Sequence, residues 1–182
     1  ALVYENYEGG SAKLDLCIEL IQSAVESGHK ILLFSQFTSM IEILTARLQE
    51  ESISYFVLQG STKKEQRAQM VEQFNRDDTS VFCISLKAGG TGLNLTGADI
   101  VIHYDPWWNV AVENQATDRA HRIGQKNVVT VYKLIAKGTI EEKIIKLQQM
   151  KKELAEEILS GDEIKTASFQ REELLELLEE RF

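Results

Sequence analysis

A glutamine and two arginines stand at a spacing suited to phosphate chemistry. Gln115, Arg119 and Arg122 occur at i, i+4 and i+7, so on a helix over Val110–His121 they would share one face. Guanidinium groups stay charged and present forked donors, which suits them to phosphate oxygens that gain charge during transfer. The spacing alone is equally compatible with a solvated basic face that pairs with neighbouring acids.

A glycine-rich segment over residues 85–95, SLKAGGTGLNL, is the second candidate for binding a ligand. Its glycines let the backbone approach a ligand and turn amides toward anionic oxygens, and Lys87 and Thr91 add donors. The segment matches neither the Walker A pattern nor the Gly-x-Gly-x-x-Gly pattern of dinucleotide-binding proteins. It predicts a phosphate-contacting loop, with an ordinary tight turn as the alternative.

Two polar turns follow predicted strands. Ser35-Gln36-Phe37-Thr38 could contact a sugar-phosphate backbone, or could serve only as a turn and helix cap. Gly60-Ser61-Thr62, followed by Arg67, precedes a predicted helix whose free amides could receive a phosphate. Helix capping alone would also explain Thr62.

The aromatic residues and histidines give weaker signals. Trp107 and Trp108 are typical of core or interface anchors more than of base-stacking platforms. His29, His103 and His121 show no metal-ligand spacing, so no metal site is predicted. We expect His103 to be buried and His121 at most to position a neighbour.

The elements that must position these residues alternate between strands and helices. Five short apolar, β-branched runs predict strands at Lys30–Phe34, Tyr55–Leu58, Val81–Ser85, Ile100–Tyr104 and Val128–Leu134. Strands that are apolar nearly throughout, with amphipathic helices between them, predict an α/β fold: a three-layer α/β/α sandwich with a mainly parallel sheet. Ligands of such sheets gather at the carboxyl ends of the strands, where the polar segments lie.

The end of the chain differs, because its helices have no following strand. Thr139 and Glu142 open a long amphipathic helix, and leucines over 174–178 mark a final short one. We therefore expect two domains. Residues 1–137 form the α/β body, and residues 138–182 form a helical brace packed on it.

Composition restricts the class of protein. The 182 residues carry 20 Lys plus Arg and 28 Asp plus Glu, a net charge of −8, which argues against a polycation that coats nucleic acid. No apolar run is long enough for a membrane span, and no secretion signal is visible, so no membrane partner is expected. Cys17 and Cys83 lie in apolar patterns typical of buried reduced thiols, which indicates an intracellular protein.

Several segments together resemble one family. Residues 115–125, QATDRAHRIGQ, are similar to motif six of the Swi/Snf-type ATPases, a branch of the superfamily-two helicases. Residues 30–48 resemble motif four of that family, residues 60–75 its next helix, and residues 84–109 its motif five and the following Asp-x-Trp-Trp-Asn segment. Residues 138–162 resemble its brace helix. The resemblance covers nearly the whole chain.

This resemblance implies the carboxyl-terminal, RecA-like lobe of a two-lobe motor that moves along double-stranded DNA using ATP. ATP and magnesium would be bound mainly by the N-terminal RecA-like lobe of the same protein, so this chain alone would be inactive as an ATPase. Arg119 and Arg122 would be arginine fingers, with Gln115 beside them. Residues expected near the ribose and the cleft are Gly89, Gly90, Gly92 and Leu93. Residues expected to contact DNA phosphates are Gln36, Thr62, Lys87, Thr91, Arg67 and Asn109.

Three alternatives differ from this interpretation. A non-catalytic interaction module would have no need of the intact glutamine and arginines of motif six. A free-standing receiver or flavin carrier would need an acidic cluster or flavin loop after the first strand, where Ser35-Gln36-Phe37 stands. A strand-separating helicase would need a pin, which is not visible.

Pro106-Trp107-Trp108 resembles prokaryotic members of the Swi/Snf-type family, so the cytoplasm or nucleoid of a prokaryote is favoured over a nucleus.

Overall fold

The computed structural model describes residues 10–86, 88, 92–121, 125 and 127–160, the last seven of these by their backbone alone. The chain divides into two compact units, Ala1–Ile135 and Ala136–Phe182. Among the described residues, no helix combines the length and the apolar character that crossing a membrane requires.

The described part of the first unit contains five strands and four helices. In chain order they are α1 (Ala12–Glu26), β1 (Ile31–Ser35), α2 (Thr38–Glu50), β2 (Tyr55–Leu58), α3 (Lys64–Arg76), β3 (Val81–Ser85), β4 (Ile100–His103), α4 (Val110–Thr117) and β5 (Thr130–Lys133). The strands form one sheet in the order β2-β3-β1-β4-β5, and every pairing is parallel. The predicted strands and the predicted α/β class are confirmed.

Helices cover both faces of this sheet, as the three-layer prediction requires. On one face, α1 and α2 pack on alternate strand residues such as Leu33, Cys83 and Ile102. On the other face, α3 and α4 pack on the intervening residues, such as Phe34 and Phe82. The period of two along each strand thus divides the core into two layers.

The strands differ in burial according to their place in the sheet. β1, β3 and β4 are buried along their whole length, which explains their continuous apolar sequences. β5 is an edge strand, and its four residues are exposed. Its sequence, Thr130–Lys133, carries polar residues at both ends, with Val131 and Tyr132 between them.

Helix α4 is shorter than predicted. It begins at Val110, after the Asn109 cap, and ends at Thr117, so it does not reach His121. Arg119 therefore lies in the turn that follows the helix, where its amide donates to the carbonyl of Ala116 at 3.2 Å. The expected common face of Gln115 and Arg119 is wrong, because their 3.6-residue periodicity ends between them.

The second unit contains helix α5, Ile140–Ser160. Thr139 precedes it and accepts from the Glu141 amide, while the Glu142 carboxylate accepts from the Gly138 amide at 2.8 Å. This reciprocal pairing resembles a capping box. Gly138 has a φ of +72°, a conformation that favours glycine. The predicted final helix over 174–178 lies outside the described residues.

Candidate functional site

The polar segments singled out from the sequence meet at the carboxyl edge of the sheet. β1, β2, β3 and β4 all point the same way, so the turns that follow them lie along one edge. These turns carry Gln36, Thr62, the glycine-rich segment and Asn109. In open parallel sheets this edge is where ligands bind.

Asp105 connects the turn after β1 with the turn after β4. This buried carboxylate accepts from the Ser35 hydroxyl and from the Gln36 amide, the latter at 3.2 Å. The Gln36 side chain, which is partly buried, donates to the carbonyl of Pro106 at 3.4 Å. Gln36 is thus fixed at the edge through its main chain and its side chain.

Arg67 organises the turn after β2. Its guanidinium donates to the carbonyls of Thr62 at 2.8 Å and Gly60 at 3.0 Å, and also reaches the carbonyls of Gln59 and Ala88. The Thr62 hydroxyl accepts from the Gln59 amide at 3.1 Å instead of capping α3. Arg67 therefore uses its donors on the backbone of two neighbouring turns.

The glycine-rich segment is described in part. Lys87, Gly89, Gly90 and Thr91 lie outside the described residues. Gly92 and Leu93 line a cavity of about 530 Å³ together with α3 residues, among them Lys64 and Arg67. The Leu95 amide donates to the carbonyl of Arg119 at 3.0 Å. This bond joins the segment to the turn over residues 118–120 that follows α4, the arginine turn.

Glu113 holds the turn after β4 against α4 and β5. Its side chain is 1% exposed and accepts from the Trp107 amide at 2.6 Å and from the Lys133 ammonium at 2.5 Å. Trp107 packs on the core beneath α4, whereas Trp108 is 47% exposed at the edge. Asn109 is exposed and caps α4 by accepting from the Ala111 amide at 3.0 Å.

The residues of motif six differ in their exposure to solvent. Gln115 is exposed on α4, whereas Arg119 is only 2% exposed, and its side chain is among the largest that the lobe buries fully. Arg122 lies outside the described residues. The Gln125 amide group donates to the carbonyls of Ala98 and Ala120, which links Gln125 to the segment before β4 and to the turn after α4.

His103 lies beneath the arginine turn at the end of β4. It is 1% exposed, its ring stacks on Phe34 with centroids 5.4 Å apart, and its Nε2 lies 3.0 Å from the Thr117 hydroxyl. Burial lowers the pKa of His103 to about 4, an effect that Glu113 opposes and Lys133 reinforces. A neutral imidazole therefore links β4 to the last residue of α4 at neutral pH.

Sequence reasoning missed three residues that organise this edge. Asp105 and Glu113 are buried carboxylates, and Gln125 bridges backbone carbonyls. The available signal for Asp105 was its position as the first acidic residue after a buried strand. Glu113 carried no such signal, because its partner Lys133 is 20 residues away.

The described residues contain no cluster of three or more His, Cys, Asp or Glu that could hold a metal ion. Both cysteines are free and buried, as predicted. Burial raises the pKa of Cys17 to about 12 and also raises that of Cys83. Both therefore remain protonated thiols in the core at neutral pH.

Comparison with known proteins places this geometry among helicases. The family model described as "Helicase conserved C-terminal domain" matches residues 12–124. An uncharacterized ATP-dependent helicase of Mycoplasma pneumoniae is 48% identical over 93% of the chain and 16% of its own length. The human chromatin-remodeling ATPase INO80 is 44% identical over 92% of the chain and 11% of its own length.

A bacterial protein and a solved structure agree with these matches. The putative ATP-dependent helicase/translocase YwqA of Bacillus subtilis is 45% identical over 85% of the chain and 17% of its own length. A crystal structure of the C-terminal part of the Fun30 ATPase domain superposes with a TM-score of 0.74 at 37% identity, covering 79% of this chain and 47% of that one. The chain thus spans between 11% and 17% of these curated relatives.

Proposed function

Because the chain belongs to the helicase C-terminal domain family, in its Swi/Snf-type ATPase branch, we propose that it is the second motor lobe of an ATP-dependent double-stranded DNA translocase. The observation that carries the proposal is the collection of Gln36, Thr62, Asn109 and the arginine turn along one edge of a parallel sheet. The bacterial relatives support a prokaryotic cell interior as its location.

DNA would be held through its phosphates at this edge. Gln36, Thr62 and Asn109 lie in the segments that follow β1, β2 and β4, and Lys87 and Thr91 of the glycine-rich segment would add donors. Contacts confined to the backbone carry no sequence information and depend on salt. Arg67 supports this binding by holding the Thr62 turn, since its donors already engage backbone carbonyls.

ATP, with its magnesium ion, would be held mainly by an N-terminal lobe and completed by this one. The donor set here, an amide and two guanidiniums, fits the oxygens of a triphosphate. Gly89, Gly90, Gly92 and Leu93 would line the ribose side of the cleft. Arg119 is buried in the isolated lobe, so its finger role requires the turn after Thr117 to change conformation when the lobes close.

The central test is ATP turnover by the 182-residue chain with and without duplex DNA. We expect background rates in both cases, because an arginine finger stabilises charge only on a nucleotide that another lobe has bound. Adding the N-terminal lobe should restore DNA-stimulated turnover. Robust turnover by the chain alone would overturn the half-site assignment.

A duplex-binding isotherm at several salt concentrations tests the DNA surface. We expect weak binding without sequence preference, and a salt dependence that becomes shallower in Lys87→Ala. Arg76→Ala is the matched control, because Arg76 is exposed at the opposite end of α3 and pairs with Glu72. Salt-insensitive or sequence-selective binding would contradict phosphate recognition.

A further inference from the structure

The hydrogen bond between His103 and Thr117 joins the sheet to the end of α4. The His103 Nε2 lies 3.0 Å from the Thr117 hydroxyl oxygen. Thr117 is the last residue of α4, and its carbonyl accepts from the Ala120 amide at 3.1 Å within the arginine turn. Thr117 therefore contacts β4 through its side chain and the arginine turn through its main chain.

The His103 ring is a rigid point of attachment. β4 is buried along its length and pairs with β1, where Phe34 is the register partner of His103. The two rings stack, with centroids 5.4 Å apart and an angle of 19° between their planes. Because a closely packed ring in a paired strand has little room to move, Thr117 cannot shift without losing its hydrogen bond to His103.

The surroundings of the His103 ring determine which nitrogen carries the proton. Burial lowers the pKa of His103 to about 4, so the ring is neutral at neutral pH and has a single N–H group. The Nδ1 atom is buried and has no hydrogen-bond partner within the described part of the chain. Buried backbone N–H groups lack a partner more rarely than buried acceptors do, and the same preference places the proton on Nε2. The Nε2–H group then donates to the Thr117 hydroxyl.

The arginine turn depends on this attachment through its backbone. The Arg119 amide donates to the carbonyl of Ala116 at 3.2 Å, and the Ala120 amide donates to that of Thr117. A displacement of Thr117 would therefore change the position of Arg119. The Arg119 side chain is buried in this lobe, so it can meet ATP only after the turn rearranges. A rearrangement that starts from a fixed residue leads to a defined end point, whereas a loose helix end would sample several.

We propose that His103 and Thr117 form a positioning pair for Arg119. His103 holds the end of α4 on the sheet, and the arginine turn rearranges from that fixed end when the two lobes close on ATP. Neither residue of the pair touches the nucleotide, so both act through Arg119. The inference rests on the proposed function, since it requires Arg119 to be an arginine finger.

Steady-state ATPase of the complete two-lobe protein with saturating duplex tests the positioning. Thr117→Val keeps the shape of the side chain and removes its hydroxyl. It should lower kcat by about tenfold and leave KM for ATP within about twofold, because a misplaced arginine weakens an interaction made in the transition state. Thr117→Ser retains the hydroxyl and should keep most of the wild-type kcat.

Two further variants separate positioning from folding. Thr45→Val is the matched control, because the Thr45 hydroxyl donates within α2 to the carbonyl of Glu42 at 3.0 Å, and it should leave kcat unchanged. His103→Leu should lower kcat as Thr117→Val does. The double variant should be no slower than either single variant, since both remove the same hydrogen bond. Thermal unfolding of each variant shows whether it is folded at the assay temperature.

NMR of the ¹⁵N-labelled 182-residue chain provides a readout that needs no ATP. The ¹⁵N shifts of the His103 ring should identify the tautomer with the proton on Nε2. In Thr117→Val, the Ala120 amide, which donates to the Thr117 carbonyl, should exchange with solvent at least about tenfold faster than in the wild type. The amides of α2 should keep their wild-type exchange rates.

The outcomes distinguish this inference from the proposed function. An absence of ATP turnover by the wild-type two-lobe protein, or near-normal turnover in Arg119→Ala, would overturn the finger assignment and the positioning pair with it. Near-normal kcat in Thr117→Val, with Arg119→Ala impaired, would overturn the positioning pair alone. An equal loss of kcat in Thr117→Ser, or a proton on Nδ1, would also overturn it, because the hydroxyl hydrogen bond would then not be responsible.

Discussion

The buried carboxylates at the two edges of the parallel sheet are held differently. At the carboxyl edge, Asp105 accepts from the turn after β1, and Glu113 accepts from Lys133 and the Trp107 amide. At the amino edge, Asp99 is held by His29 and Asn127 through one oxygen, while the other has no described partner.

The internal partners of a buried carboxylate indicate whether it holds the structure in place. A buried charge with internal partners fixes the shape of its surroundings, and the exposed polar groups beside it are then free to meet a ligand. That is the situation of Gln115, which is exposed on α4 near Glu113. The second Asp99 oxygen is closed to solvent, so this carboxylate also belongs to the interior.

The largest expected effect is on catalysis at the carboxyl edge. In the complete two-lobe protein, Arg119→Ala or Arg122→Ala should lower DNA-stimulated ATP turnover by about 100-fold or more, or roughly 3 kcal/mol of transition-state stabilisation. Lysine at either position should rescue poorly, because it cannot reproduce the forked donors. Duplex binding should change little, since the DNA contacts lie on other turns.

Steady-state ATPase with saturating duplex, together with a binding isotherm and thermal unfolding of each variant, checks this prediction. Thermal unfolding is needed because Arg119 is buried. Arg76→Ala serves as the control at an exposed position. If both arginine variants keep near-normal turnover, or lose DNA binding in proportion, the finger assignment is wrong.

The next effect concerns pH and His103. Burial lowers the pKa of His103 from 6.5 to about 4, so the unfolded chain binds this proton more readily than the folded one. Protonation therefore favours the unfolded chain between pH 6.5 and 4. The free energy of unfolding is highest above pH 6.5 with respect to this group, and it falls as the pH falls toward 4. The loss across this window is about 3 kcal/mol.

Urea unfolding of the wild type and His103→Gln at several pH values measures this contribution. The variant should lose less stability than the wild type between pH 6.5 and 4, because glutamine does not titrate. Parallel pH profiles for the wild type and His103→Gln would contradict a buried neutral histidine.

Removing the buried Glu113 carboxylate should destabilise the protein more than removing an exposed one. Glu113→Ala leaves Lys133 and the Trp107 amide without their buried acceptor, and should lower the free energy of unfolding by about 2 kcal/mol. Glu72→Ala removes an exposed pair with Arg76, and should cost no more than about 0.5 kcal/mol. Equal effects in urea unfolding would show that the Glu113 network is not a scaffold.

The smallest effect is expected at the cap of α4. Asn109→Ala removes the side-chain acceptor for the Ala111 amide and should cost about 1 kcal/mol. Asn109→Asp keeps an acceptor at the helix N-terminus and should retain most of the stability. Thermal unfolding of the two variants measures the difference, and an aspartate variant as unstable as the alanine variant would argue against capping.

The sequence by itself determined the layers of the lobe and the edge at which its chemistry lies. Apolar runs predicted the five strands, and their continuity predicted the burial of β1, β3 and β4, because a strand covered on both faces needs apolar residues at every position. Turn residues after those runs predicted where Gln36 and Thr62 lie, since parallel strands bring their carboxyl ends together. Residues 30–48, 60–75, 84–109 and 115–125 together indicated the family.

Only the tertiary structure decided the partners of the buried charges and the end of α4. Asp105 meets Ser35 across 70 residues, and Asp99 meets His29 across the same separation, because strand order places β1 beside β4. Helical spacing predicted that Gln115 and Arg119 share a face, but the helix ends at Thr117, and Arg119 turns into the core. Periodicity records local backbone geometry, whereas the neighbour of a buried charge depends on which distant strand lies next to it.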